Sequence, residues 1–332
     1  MRFTVLIPTF DHGIVIRSAI DSVLEQTVGD FEIFVVCDGS PPETHAVLAD
    51  YAERDGRIRA FKFEKGAVHG EASRHEALEE ATGVAVAYLS DDDFWFPDHL
   101  ATMGELLADA DFANTRQAQT SPDYLVMGEA AGDLNNADTR ARMTTTRYNF
   151  FGPTVAAHRL DAYRRLPVGW SPAPEGVWSD LHMWRKWIAA DGVRFRSSMK
   201  VTSLHLPSSG RVGQTRETKL NENMFWREAF RDPFMREALR AVIPPDRTKI
   251  PLANVASRAV ALSKGAIERA DDAIAAARAR LRAAEADRDA ALIEIEAQRK
   301  ARQELLDSTI WRATKPLRDT INALRPPRAR RD

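Results

Sequence analysis

The chain has 332 residues, a formal net charge of −2 and 44% hydrophobic residues, and Cys37 is its one cysteine. This composition excludes an internal disulfide and a basic nucleic-acid-binding surface along the whole chain, and it predicts a sizeable folded core. No apolar run is long enough for a signal peptide or for the ~20 residues of a membrane span, so we expect a soluble, cytoplasmic protein.

Strand and helix patterns alternate over roughly the first hundred residues. The predicted strands are Phe3–Ile7, Phe31–Val36, Ile58–Phe63 and Val84–Leu89, and helices are predicted over 16–24, around 47–51 and over 72–81. This alternation is typical of an α/β fold whose mostly parallel sheet carries helices on both faces. Ligands of such sheets bind beyond the carboxyl ends of the strands, where this chain has Thr9, Asp11, Asp38 and Asp91–Asp93.

The second half of the chain is less regular, with a strand predicted over 154–157 and helices over 180–188 and 218–243. After Pro251 the composition changes to Ala, Arg, Glu and Asp. One heptad position there is occupied by Ile267, Ile274, Leu281 and Ile295, and alanines dominate a second. This pattern predicts a long helix, either in a coiled coil or single and solvated. The predicted domains are therefore 1–245, a helical segment 252–307 and a basic tail 308–332.

An acidic cluster, Ser90-Asp91-Asp92-Asp93, directly follows the apolar run Val84–Leu89. Three neighbouring carboxylates repel one another unless a positive charge lies between them. Hard oxygen ligands of this kind suit magnesium or manganese, particularly with a diphosphate present. The alternative interpretation of the cluster is an acidic turn that caps a helix.

Five segments, in this order and spacing, resemble glycosyltransferase family 2, which has the GT-A fold. They are Phe3-Thr4-Val5-Leu6-Ile7-Pro8-Thr9-Phe10, Ser22-Val23-Leu24-Glu25-Gln26-Thr27, Phe31–Ser40, Gly70-Glu71-Ala72-Ser73-Arg74-His75 and Leu89–Asp98. The resemblance covers about residues 3–210 and does not extend to the helical tail. It implies transfer of a sugar from a nucleotide-sugar donor to an acceptor hydroxyl, with a metal ion at the leaving diphosphate and a general base at the nucleophile.

The resemblance also implies roles for residues at the strand ends. Thr9 and Asp11 would line the nucleotide pocket, and Asp38 would accept a hydrogen bond from the base, which we expect to be uracil. Arg74 matches an arginine of the family and would reach the nucleotide or its phosphates. The alternatives are a turn-forming role for Asp38 and a surface position for Arg74.

The metal site implied by the resemblance would hold Mn2+ or Mg2+. Alignment through Pro97-Asp98 makes Asp92 the metal ligand and Asp91 the ribose contact, with Asp93 as a second ligand or a helix cap. His205 would be a third ligand or would touch the diphosphate, with Arg211 beside the phosphates. A partnered structural histidine is the alternative for His205. Ser90 departs from the family, many of whose members have Asp at this place.

The general base implied by the resemblance is Asp180, in Trp178-Ser179-Asp180-Leu181-His182-Met183-Trp184. Ser179 replaces the usual Glu of this segment, and a helix N-cap is the alternative role of Asp180. One carboxylate base and one metal imply direct displacement with inversion at the anomeric carbon. The acceptor is expected to be a glycan or another hydroxyl compound, bound by residues 110–175 and the loops near Arg211.

The end of the chain resembles a short Trp-Arg…Pro-Leu-Arg segment of some bacterial polysaccharide-assembly glycosyltransferases. Trp311, Leu317, Ile321 and Leu324 with flanking arginines predict either peripheral contact with an anionic membrane or a disordered basic tail. The heptads before it suggest a homodimer.

Two functions are consistent with these residues, and a third is disfavoured. The first is a metal-dependent, inverting glycosyltransferase that uses a UDP-sugar in polysaccharide or glycan synthesis. The second is a non-catalytic nucleotide-sugar-binding or scaffold protein, in which Ser90 and Ser179 would mark lost activity. A nucleotidyltransferase is disfavoured, because the segment 9–13 lacks a glycine-rich phosphate loop with Lys or Arg.

Overall fold

The alternating strands and helices are present in the computed structural model, which describes residues 1–129, 131–308, 312–316 and 318–319. The strands are β1 (Phe3–Thr9), β2 (Phe31–Asp38), β3 (Ile58–Phe63), β4 (Ala85–Tyr88), β5 (Phe94–Trp95), β6 (Phe112–Thr120), β7 (Leu125–Gly128), β8 (Ala156–Arg159), β9 (Phe195–His205) and β10 (Lys249–Pro251). The helices are α1 (Ile16–Leu24), α2 (Pro42–Arg54), α3 (Glu71–Glu79), α4 (His99–Leu106), α5 (Ala137–Thr145), α6 (Leu160–Arg164), α7 (Ser179–Ala189), α8 (Arg216–Ala229), α9 (Pro233–Val242) and α10 (Leu252–Asp307).

Four parallel strands in the order β3-β2-β1-β4 form the first half of the sheet. Every residue of β2 is buried, because helices cover both faces, and its sequence is accordingly an almost continuous apolar run. Since the strands are parallel, the ends of β1, β2 and β4 meet at one edge. Thr9, Asp38 and the acidic cluster after β4 therefore lie along that edge.

The other half of the sheet is mixed. β8 lies antiparallel between β4 and β6, and the hairpin β6–β7 carries β10 at its edge. A parallel β6–β7 pair would need a long crossover, whereas only a tight turn joins these strands, with Tyr124 at a positive φ of 57°. β9 runs parallel to β6 and pairs with the short β5, which brings residue 205 to the acidic cluster.

Helices pack on both faces of the sheet, as predicted. One core layer contains Ile16, Ile20, Leu48 and Met103 from α1, α2 and α4. The opposite layer contains Leu78, Tyr163, Trp184 and Trp187 from α3, α6 and α7. A third cluster joins Phe94 and Phe96 to Trp226, Leu239 and Val255 from α8, α9 and the start of α10.

The helix predicted over 218–243 is two helices in the structure. Pro233 begins α9 at its first turn, and Asp232 caps it by accepting a hydrogen bond from the Phe234 amide. A proline cannot continue the preceding helix, because its ring removes the amide donor and crowds the turn before it.

The chain divides into two compact units, Met1–Ser263 and a second that begins at Lys264. The predicted long helix is present as α10, and in the second unit its heptad residues Ile267, Ile274 and Leu281 are 59%, 49% and 61% exposed. Among the described residues, no helix is both long and apolar enough to cross a bilayer. The residues on which the predicted membrane contact depends, Trp311, Leu317, Ile321 and Leu324, lie outside the described part of the chain.

Candidate active site

Two adjoining cavities open at the edge where β1, β2 and β4 end. The first cavity, of about 350 Å³, is lined by most of the predicted site residues: Thr9, Asp11, Asp38, Arg74, Asp91, Asp92 and His205. The second cavity, of about 670 Å³, contains Asp180. Both are lined by Val68, His69, Arg74, Ser90 and His205, which therefore form their common wall.

Asp38, at the end of β2, is buried and paired with the loop after β3. Its Oδ1 accepts a hydrogen bond from the Gly66 amide (2.6 Å), and its Oδ2 accepts one from Lys65 Nζ (2.8 Å). Gly70 has a positive φ of 70°, and a Cβ there would lie 2.8 Å from Asp38 Cγ, so this close approach requires glycine. The Lys65 ammonium also lies 5.2 Å from the ring centroid of the exposed Phe10. An aromatic face beside an acceptor and a donor is suited to a nucleobase.

Asp91 and Asp92 are the members of the acidic cluster with unused oxygen atoms. Asp91 Oδ1 accepts a hydrogen bond from His12 Nδ1 (2.7 Å), and this bond raises the pKa of His12 to about 9 against the opposing effect of burial. Asp91 Oδ2 is buried and has no hydrogen-bond partner among the described residues. Burial and the charges of Asp93 and Asp91 raise the pKa of Asp92 to about 7.

The three side chains His12, Asp91 and Asp92 have ligand atoms that all lie within 4.8 Å of one another. Asp91 has an unpartnered carboxylate oxygen, and burial and like charge suppress the ionisation of Asp92 beside it. A divalent cation is favourable at such a place. The ligand atoms of His12, Asp91 and Asp92 therefore fit the predicted metal.

Asp93 is fully buried, and protein donors use both of its oxygens. It accepts hydrogen bonds from Thr154 Oγ1 (2.5 Å), the Leu206 amide (2.9 Å) and His205 Nδ1 (2.8 Å). Burial lowers the pKa of His205, but the charge and hydrogen bond of Asp93 outweigh this and raise it to about 9. His205 Nε2 forms no hydrogen bond with the described residues, and His205 lines both cavities. Asp93 thus fixes the orientation of the His205 ring.

Arg74 is a cation without an ion pair in the described part of the chain. Its guanidinium carbon lies 4.8 Å from the ring centroid of Trp170, Nη2 donates to the His69 carbonyl (2.8 Å), and Nε is buried without a partner. Burial lowers its pKa, and the charge of Glu71 opposes this. A desolvated guanidinium on the common wall of two cavities is suited to an anion.

Asp180 lies in the first turn of α7, where Trp178, not Asp180, occupies the N-cap position. Oδ1 accepts a hydrogen bond from the Leu181 amide (2.7 Å), and Oδ2 accepts one from Asn149 Nδ2 (2.8 Å). Burial raises the pKa of Asp180 although both hydrogen bonds lower it. A carboxylate held by neutral donors, with a raised pKa, is suited to accept a proton.

Ser179, the departure from the family pattern, donates a hydrogen bond to Glu71 Oε1 (2.6 Å). The buried Glu71 carboxylate also accepts from the His69 amide (3.0 Å). A carboxylate from α3 therefore lies beside the position where the family usually has its own. Sequence reasoning missed Glu71, since 108 residues separate it from Ser179.

Arg211, expected beside the phosphates, has a guanidinium that is committed to the fold. It is 4% exposed and ion-paired with Glu222 (2.6 Å), and it also donates to Thr120 Oγ1 (2.8 Å). Arg211 lines a small adjoining cavity together with His12, Asp92 and Lys219, of which sequence reasoning missed Lys219.

Asp11, expected to line the nucleotide pocket, lies on the first cavity and forms an ion pair with Arg216. Thr9 also lines it, and its Oγ1 is buried without a partner among the described residues. Further lining residues that sequence reasoning missed are Phe10, His12, Lys65, Glu129, Arg147, Trp178 and Arg247. For Lys65 the signal was present, namely a lysine beside a glycine directly after a predicted strand.

Comparison with known proteins shows which proteins this chain resembles. Residues 4–162 match the model of the family "Glycosyl transferase family 2". The chain is 32% identical over 91 residues to "Uncharacterized glycosyltransferase EpsJ" of Bacillus subtilis, covering 27% of this chain and 26% of the relative. It is 29% identical over 102 residues to "GalNAc(5)-diNAcBac-PP-undecaprenol beta-1,3-glucosyltransferase" of Campylobacter jejuni, covering 31% and 33%. The matches thus span about a third or less of these curated relatives.

Among solved structures, the fold resembles that of Staphylococcus aureus TarS 1-349 in complex with UDP-GlcNAc. The TM-score is 0.50 at 18% sequence identity, and the match covers 74% of this chain and 68% of that chain. With the family match, this likeness confirms the predicted GT-A fold.

The contrast between Asp93 and Asp92 gives a prediction for stability in metal-free buffer. Asp93→Ala leaves three buried donors unpaired and should lower the free energy of unfolding by about 3 kcal/mol. Asp92→Ala removes a carboxylate that its neighbours repel, and it should leave the free energy of unfolding unchanged or slightly higher. Urea unfolding followed by circular dichroism measures both. Equal destabilisation by the two variants would contradict the structural role of Asp93.

Proposed function

The segment 4–162 belongs to glycosyl transferase family 2, and we propose that the chain is a metal-dependent, inverting glycosyltransferase that uses a UDP-sugar in glycan synthesis. The observation that carries this proposal is the common wall of the two cavities. On one side of this wall is the cavity suited to a nucleobase and a cation. On the other side is the cavity that contains Asp180, the candidate general base. A sugar at this wall would lie between its leaving group and its acceptor.

In the proposed donor site, the nucleobase stacks on Phe10. Asp38 accepts a hydrogen bond from the ring N–H of uracil, and Lys65 holds the Asp38 carboxylate in place, because its Nζ also donates to the Gly66 and Val68 carbonyls (2.9 Å each). The support is the geometry of the Asp38–Lys65 pair, 2.8 Å apart beside an exposed aromatic ring. The predicted nucleotide contacts of Thr9, Asp11 and Asp91 belong to the same proposal.

In the proposed metal site, Asp92 and His205 Nε2 would hold the Mn2+ or Mg2+ with help from Asp91. The predicted second ligand, Asp93, has a better-supported role as the residue that orients His205, because protein donors already use both of its oxygens. When bound, a divalent cation would neutralise charge on the leaving diphosphate. Arg74 on the first cavity and Lys219 on the small adjoining cavity add cationic charge around the site.

In the proposed reaction, the acceptor hydroxyl attacks the anomeric carbon and gives its proton to a carboxylate oxygen of Asp180, while the bond from that carbon to the UDP oxygen breaks and UDP leaves. Burial of the Asp180 carboxyl group raises its pKa and so favours its acceptance of the proton. A single base and direct displacement give inversion. The Campylobacter relative is named for transfer to GalNAc(5)-diNAcBac-PP-undecaprenol, and this supports a glycan acceptor here.

The donor site is tested by calorimetric titration of UDP and GDP with and without Mn2+. UDP should bind in a Mn2+-dependent manner, and Asp92→Ala should weaken this binding about tenfold or more. The matched control is Asp123→Ala, an exposed aspartate outside both cavities, which should bind as wild type does. Tight GDP binding would change the donor. Metal-dependent binding of neither nucleotide would contradict the donor site and favour a non-catalytic scaffold.

The base is tested with Asp180→Asn, which keeps the side-chain shape but cannot accept the proton. Turnover of UDP-sugar should fall about 10²–10⁴-fold while UDP affinity is unchanged. In the wild type, only the ionised carboxylate is active, so the rate should fall as pH falls through the raised pKa of Asp180. This acidic limb should lie above the ordinary value of about 3.9 and vanish in the variant. An unchanged rate and pH profile would assign the base elsewhere.

We also propose that α10 forms a parallel two-stranded coiled coil with a second copy of the chain. The stripe of exposed Ile and Leu at one heptad position leaves a helix face to be buried. In a parallel register, g-position Arg280 faces e-position Glu285 of the second copy, and Glu294 likewise faces Arg299. The a-position Arg288, which interrupts the stripe, lies beside Asp287 of the second copy.

Sedimentation equilibrium of the full chain tests this pairing. The wild type should be a dimer, and Ile274→Asp should shift it towards monomer. Ala279→Asp is the matched control, because position 279 lies on the outer face of the heptad. Arg280→Glu should weaken the dimer and adding Glu285→Arg should restore it, as a parallel register requires. A monomeric wild type, or a double variant no better than the single one, would contradict the proposal.

A further inference from the structure

The second cavity contains two guanidinium groups, those of Arg147 and Arg247, that have no carboxylate partner among the described residues. Other surface arginines of the same unit are paired with carboxylates. Arg194 pairs with Asp111 (3.0 Å), and Arg196 pairs with Asp109 (2.6 Å). Unpaired guanidinium groups that share one concave surface attract an anion and, through their planar forks, fit its oxygens.

Arg147 is held in place by an aromatic ring instead of a carboxylate. Its guanidinium carbon lies 4.6 Å from the ring centroid of Trp178, which is 44% exposed and lines the cavity next to Asp180. Stacking restricts the guanidinium while leaving its donors unused. An exposed indole beside the candidate base also offers a surface on which a sugar ring packs.

Arg247 lies near a carboxyl group that does not neutralise it by contact. Glu129 Oε1 accepts a hydrogen bond from Gln119 Nε2 (2.7 Å), whereas Oε2 is buried and unpartnered within the described residues. Burial raises the pKa of Glu129 to about 7, and the charges of His205 and Arg247 oppose this shift. The three guanidinium groups of Arg74, Arg147 and Arg247 outnumber the two carboxyl groups on this cavity, those of Glu129 and Asp180, so the cavity carries an excess of positive charge.

We propose that the acceptor of this enzyme is an anionic sugar, whose phosphate or carboxylate group is bound by Arg147 and Arg247 while a hydroxyl of its ring reaches Asp180. The ring lies against the exposed Trp178. The inference rests on the proposed function, since it names the class of acceptor for the second cavity. A neutral sugar would leave both guanidinium groups without a partner, so charge is the feature that selects the acceptor.

The test is calorimetric titration of glucose 1-phosphate, glucuronate and glucose into the full-length protein saturated with UDP and Mn2+, which occupies the first cavity. The anionic sugars should bind and glucose should bind at least about tenfold more weakly. The Arg147→Gln/Arg247→Gln double variant should lose at least about tenfold in affinity for the anionic sugars and nothing for UDP. A phosphate preference over glucuronate, or the reverse, identifies the anion.

The matched control is Arg142→Gln. Arg142 likewise stacks on an aromatic ring, 3.7 Å from the centroid of Tyr148, but it lines neither cavity, and its replacement should change no affinity. Arg147→Lys, which keeps the charge without the fork, should retain part of the affinity. Equal binding of glucose and the anionic sugars, or a double variant that binds them as wild type does, would overturn the inference.

The two proposals fail in different ways. If the wild type binds no UDP with Mn2+, the proposed donor site is wrong. The anionic sugars are then titrated without nucleotide, and a loss of their binding in the Arg147→Gln/Arg247→Gln variant still supports the anionic acceptor. If UDP binds normally and the double variant has no effect, the glycosyltransferase proposal remains and the anionic acceptor is rejected.

Discussion

Asp93 is the buried charge around which the site is arranged. A carboxylate without water is costly unless donors satisfy both oxygens. Asp93 draws its donors from two segments: Thr154 ahead of β8, and His205 with the Leu206 amide at the end of β9. These bonds join the parallel half of the sheet to its mixed half. The wall between the two cavities lies where the halves meet, so its position depends on this one side chain.

The use of Asp93 for folding leaves groups of opposite charge with unused hydrogen-bonding capacity around it. Among the described residues, Asp91 is paired with His12 but keeps an unpartnered Oδ2, and Arg74 on the common wall has a buried Nε without a partner. Holding such groups apart in a folded protein opposes their mutual attraction and costs stability. It also prepares fixed charges for a reaction in which charge develops on a leaving group, and this preorganisation is the main way in which enzymes stabilise such transition states.

Local patterns in the sequence predicted the local parts of this arrangement. The alternation of apolar runs and helical faces gave β1 to β4, and each strand end then placed Thr9, Asp38 and the acidic cluster on one edge. What sequence reasoning could not find were pairings over long separations, such as Thr154 with Asp93 at 61 residues and His205 with Asp93 at 112. The ion pair of Arg211 with Glu222 was also missed, because Glu222 belongs to a helix whose packing no local pattern reveals.

The two departures from the family pattern are understandable from their hydrogen bonds. Ser90 Oγ lies 3.1 Å from Thr154 Oγ1, the hydroxyl that donates to Asp93. An aspartate at position 90 would bring a fourth negative charge to a cluster whose carboxylates already repel one another. Ser179 donates to Glu71, whose carboxylate lies beside the position where the family usually has its own acid. Burial raises the pKa of Glu71, but the hydrogen bonds from Ser179 and the His69 amide and the charge of Arg74 outweigh this and hold the pKa below its ordinary value. We infer that the two serines redistribute the charges around Asp92 and Asp180 without removing them.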